Sequence, residues 1–145
     1  MSQGGRKLKG VEIEQYVKAM VAEFLPCVLQ ANGSDFLVSQ HTLLEVKSAE
    51  LCQSNGKDMF LKAGKFVVNP IVHGLLCVPG YSHWYALVLT FRSRVLLLCF
   101  LPAKRLDLLV AEGKAPFSNF YCREAVPLEC FVKWVKENDP PLPGA

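Results

Sequence analysis

A chain of 145 residues that is half hydrophobic and one-fifth charged can bury a sizeable core, which excludes an intrinsically disordered protein. Its net charge of +3 comes from dispersed basic residues, with Arg6-Lys7-Leu8-Lys9 and Arg92-Ser93-Arg94 as the local clusters. A nucleic-acid binder carries a denser basic stripe than this.

Residues 1–10 read as a flexible basic lead, residues 11–138 as one α+β domain, and residues 139–145 as a proline-rich tail. No uncharged apolar run approaches the roughly 20 residues that cross a bilayer. Met1 to Lys7 lacks the apolar stretch of a signal peptide, so a cytoplasmic or nuclear setting is expected.

Val11 to Phe24 predicts a helix, because Ile13, Val17, Met20, Val21 and Phe24 repeat at spacings of three and four. Leu25-Pro26 ends it. Cys27 to Gln30 and Phe36 to Val38 read as short extended pieces around the turn residues Ala31 to Asp35. His41 to Cys52 reads as a second helix carrying Leu43, Leu44 and Leu51. Lys65 to Asn69 reads as a strand stopped by Pro70.

His83 to Phe91 is apolar, β-branched and aromatic, and it follows the turn segment Val78 to Ser82. It predicts a buried strand, with Val95 to Phe100 returning beside it as a hairpin. Together with residues 65–69 these strands form the expected central antiparallel sheet. Lys104 to Glu112 suits a short helix, Gly113 to Tyr121 a loop, and Leu128 to Asn138 a final helix with Leu128, Phe131, Val132 and Val135 on one face.

Six cysteines, at 27, 52, 77, 99, 122 and 130, include no C-x-x-C pair, and several lie in apolar runs. They read as free thiols in a reducing compartment rather than as a disulfide framework or a zinc site. His41 and His73 read as ordinary polar residues. No metal and no cofactor is expected.

The chemistry worth weighing is a thiol with a base. Cys130 falls in the first turn of the final helix, where the helix dipole favours a thiolate, and His83 opens a core strand, where an imidazole can face a cleft. Val68-Asn69-Pro70-Ile71, followed by His83-Trp84-Tyr85-Ala86-Leu87-Val88-Leu89, resembles the "strand, Pro-Ile, loop, His-Trp, apolar strand" pattern of the ubiquitin-like-protein-specific (SUMO) cysteine proteases. Glu129-Cys130-Phe131-Val132 is similar to their nucleophile segment, and Cys99-Phe100-Leu101-Pro102 to the end of their return strand. The resemblance implies a papain-like thiol-hydrolase fold with His83 as base and Cys130 as nucleophile.

It also implies losses. The family's triad acid falls on Cys99, and Phe100 beside it is no better at orienting an imidazole. The glycine after the nucleophile is Phe131, and the oxyanion-hole glutamine falls near Glu124, whose charge would repel an oxyanion. Asp107 is the remaining candidate acid. The chain also resembles the H-box/NC proteins, the lecithin:retinol acyltransferase and picornavirus 2A type. That resemblance rests on Lys62 to Val67, His83-Trp84 and Ser118-Asn119-Phe120-Tyr121-Cys122, and it makes Cys122 the candidate nucleophile.

Three outcomes stay open: a catalytically impaired interaction module on a cysteine-protease-like fold, an active cysteine protease or acyl-transfer thiol hydrolase, or an unrelated α+β domain. For the first, the partner is another protein, ubiquitin-like or a host factor. The docking residues would then come from the aromatic set Tyr81, Trp84, Tyr85, Phe117, Phe120, Tyr121 and Trp134.

Overall fold

The computed structural model describes residues 10–26, 28–30, 35–50, 52–53, 61–62, 65–66, 78–105, 117–118 and 125–142. It is an α+β structure. Helix α1 spans Gly10–Ala22 and strands β1 and β2 span Leu29–Gln30 and Phe36–Ser39. Strand β3 is Thr42–Glu50, β4 is Cys52–Gln53, β5 is Leu61–Lys62 and β6 is Lys65–Phe66. Strands β7 and β8 are Ser82–Phe91 and Arg94–Pro102, β9 is Phe117–Ser118, and helix α2 is Leu128–Asn138.

Five strands form the main sheet in the order β1-β2-β3-β7-β8. The β3–β7 pair is parallel, running from Thr42 opposite Ser82 to Glu50 opposite Thr90. The other pairs are antiparallel. A parallel pair places a strand deep in a sheet, and β7 is buried from His83 to Thr90. That explains why its sequence is a continuous apolar run and not an alternating one.

The helices cover one face. Alternation along β7 sends Trp84, Ala86 and Val88 toward them, joined by Leu44 of β3 and Phe100 of β8. Ile13, Val17 and Val21 of α1, and Phe131, Val132 and Val135 of α2, close over these residues as one cluster. His83, Tyr85, Leu87 and Leu89 face the other way, and all four are buried as well. The ring of Phe131 stacks on Phe100 with centroids 4.4 Å apart, and meets Trp84 edge-on at 5.0 Å.

The hairpin of residues 83–91 and 95–100 forms as predicted, closed by a two-residue turn, Arg92-Ser93, with φ of 48° and 58°. Positive φ at both positions is the turn whose twist matches paired strands, although asparagine and glycine usually supply it. One register shift follows Leu89: Leu89 pairs with Leu97, but Thr90 pairs with Val95. Leu96 is therefore a bulge residue, and it is half exposed.

Three expectations are corrected. Residues 42–50, read as part of a helix, are the long strand β3. Leu43 and Leu44 are adjacent and both buried because a strand inside a two-sided layer buries successive residues on opposite faces. Lys65–Phe66 does not join the main sheet; it pairs with Phe117–Ser118 in a separate ladder, and β3 takes the place beside β7. Asp139 to Pro141, read as the start of a tail, are hydrogen-bonded to the β2–β3 turn, and Asp139 is buried. The expected short helix is described only at Lys104 and Arg105; the rest of it, like residues 67–69, lies outside the described residues.

Candidate functional site

His83 is the second residue of β7 and is buried, its ring edge-on to Tyr85 at 5.5 Å. It belongs to the face turned away from both helices. Cys130 is the third residue of α2, on the helix-covered face, and is exposed and free. By strand alternation His83 points to the face opposite the one that α2 covers, and no contact joins its ring to Cys130 among the described residues. Cys99 is buried on the same face as His83, with its S–H toward the Leu87 carbonyl at 3.9 Å. Cys122, Asp107, Phe120, Tyr121 and Glu124 lie outside the described residues.

The aromatic set divides. Tyr85 is fully buried, so its expected place on a docking surface is corrected. Tyr81 is 42 % exposed, Trp84 is buried in the core although it was expected at a docking surface, and Trp134 is partly buried against it, with ring centroids 5.2 Å apart. These three aromatic residues line a cavity of about 530 Å³ where β7 begins and β8 ends, walled further by His83, Pro79, Pro102 and Lys104. That volume falls in the usual range for ligand sites. No acidic side chain is among its described lining residues, and Lys104 is exposed at the rim.

The wall carrying Tyr81 is braced by a contact that links distant parts of the sequence. The Tyr81 ring sits 5.8 Å from that of His41. His41 Nδ1 faces Asp139 Oδ1 at 3.2 Å, and its backbone N–H donates to Asp139 Oδ2 at 2.8 Å. The Thr42 hydroxyl donates to the same carboxylate oxygen. A carboxylate only accepts, so the Nδ1 of His41 is the donor to Asp139. Ser82 N–H donates to the His41 carbonyl at 2.7 Å, which ties the start of β7 to the same turn. Around it, the Ser39 hydroxyl and Gln40 N–H donate to the Pro140 carbonyl.

Sequence reasoning missed this unit. His41 and Asp139 are 98 positions apart, and no local spacing joins them; the one usable sign is Asp-Pro-Pro directly after a helix, where proline fixes the exit path of the chain.

A second polar unit lies where β2 stops short of the length of β3. There the Asp35 carboxylate accepts the Val46 N–H at 2.6 Å, and the Glu45 carboxylate accepts the Asp35 N–H at 3.2 Å. The two side chains replace the missing strand. Burial, and then the charge of Asp35, push the Glu45 carboxyl up to about 7. Burial also raises Asp35, against the pull of the Val46 N–H and Lys47, and burial with Asp35 beside it raises Glu14. Lys47 Nζ lies 3.9 Å from Glu45.

Among the described residues, no group of three or more His, Cys, Asp or Glu could hold a metal ion, and no helix is long and apolar enough to cross a membrane. Compared with protein-family models, with curated proteins and with solved structures, the chain matches none.

Proposed function

We propose that this protein is an interaction module on an α+β, cysteine-protease-like frame, catalytically impaired, that docks a partner protein at the aromatic cavity. The observation that carries the reading is the cavity itself: Tyr81, Trp84 and Trp134 converge there with two prolines and a rim cation. Aromatic anchors set in a preformed hollow are the usual centre of a protein interface. What supports an impaired site over a working hydrolase is strand alternation, which turns the His83 side chain away from the face that α2 covers, while Cys130 is exposed on α2. A thiol nucleophile must come within hydrogen-bond reach of its base, about 2.6–3.2 Å between heavy atoms.

The test is a nitrogen-15 chemical-shift titration of the full chain with ubiquitin-like proteins, beside a coumarin-release assay on the same proteins. The expected result is shifts at Tyr81, at both indole N–H groups and at Lys104, with no coumarin released. Release that disappears in Cys130→Ala would overturn the reading in favour of the hydrolase.

A further inference from the structure

We infer that the cavity takes an extended, proline-containing, acidic peptide segment; this rests on the interaction-module reading and names the partner's chemistry. Three features of the site lead there. The walls are flat rings and pyrrolidines, Tyr81, Trp84, Trp134, Pro79 and Pro102, and such surfaces pack against proline rings with little loss of area. The polar atom of each aromatic wall is an O–H or N–H donor. A polyproline II strand supplies unpaired backbone carbonyls to such donors and arrives already ordered, so little entropy is lost on docking.

The third feature is charge. Lys104 stands exposed at the rim, and no acidic side chain is among the described lining residues. A basic rim attracts an acidic partner and disfavours a basic one.

Both tryptophans of the sequence line the cavity, so intrinsic fluorescence reads its occupancy without a label. The probe is a capped decapeptide rich in proline with two aspartates. Two companions go with it, one with lysines for the aspartates and one with alanines for the prolines. The acidic proline peptide should shift the emission and bind about tenfold more tightly than either companion, with affinity falling as salt is raised. Tyr81→Ala should weaken binding by a similar factor. Lys104→Glu should reverse the preference, so that the lysine peptide becomes the tighter ligand. That reversal cannot arise from misfolding.

Equal binding of the lysine peptide, or of the alanine peptide, overturns the inference about chemistry while the module reading stands. If none of the peptides binds and ubiquitin-like proteins leave the cavity resonances unmoved, both fail.

Discussion

Asp139 is the residue on which the C-terminal turn depends. Its carboxylate is almost wholly buried and serves the backbone of His41, the ring of His41 and the hydroxyl of Thr42, while its own N–H closes α2 on the Val135 carbonyl. Asp139→Ala removes the acceptor and leaves three donors without it. The expected loss is about 2–3 kcal/mol of unfolding free energy, checked by urea denaturation, with Asp139→Asn intermediate because it keeps one oxygen. Glu45 acts in the opposite sense. Its carboxyl titrates near 7 in the folded chain and near 4.5 when unfolded, so the native state holds the extra proton between those values. Stability is therefore highest below about pH 4.5 for this group and declines as pH rises to about 7, by an amount on the order of 1–3 kcal/mol. Glu45→Gln should flatten that decline in melts recorded at pH 5 and pH 8. Neither role was legible in the sequence, because each depends on a partner from another element, and polar residues at turns look alike until the fold supplies burial.

At the scale of the element, legibility followed how far the local pattern agreed with the tertiary setting. Helix α2 matched its prediction because its apolar stripe and its packing face are the same residues, Phe131, Val132 and Val135. Strand β3 did not, since Thr42-Leu43-Leu44-Glu45-Val46-Lys47-Ser48-Ala49-Glu50 mixes helix formers with no clean alternation. Nine successive pairings with β7 outweigh that weak local preference. The hairpin was read correctly from its apolar strands, but its turn holds a cost the sequence only hints at. Arg92 and Ser93 both sit at positive φ, where a residue with a Cβ is disfavoured by roughly 1 kcal/mol or more. Ser93→Gly should therefore raise the midpoint of urea unfolding, by about 0.5–1 kcal/mol in free energy. Phe131→Ala works the other way: it removes the ring between Phe100 and Trp84 and should cost about 3–5 kcal/mol in the same assay.

For the molecule as a whole, strand parity is what bears on the pair of residues that the sequence had joined. The order of histidine on a strand, return strand, and cysteine in a helix start is legible, and the structure keeps that order. What order cannot reveal is parity. A shift of one position along β7 exchanges its two faces, and here Trp84 takes the face shared with α2 while His83 takes the other. Cys130, on α2, lies over the face that Trp84 takes. The consequence can be measured with the intact protein by rate of labelling with a maleimide over pH 6 to 9, followed by mass mapping to Cys130. The expected profile for this exposed thiol is the same in the parent chain and in His83→Ala, and Cys130→Ala should change unfolding free energy by less than about 0.5 kcal/mol, as an exposed position does. A thiol activated by His83 would instead label fast near neutrality and slow sharply in His83→Ala while Tyr81→Ala left it untouched. That result would require the two residues to meet on one face, and would return the chain to the hydrolases.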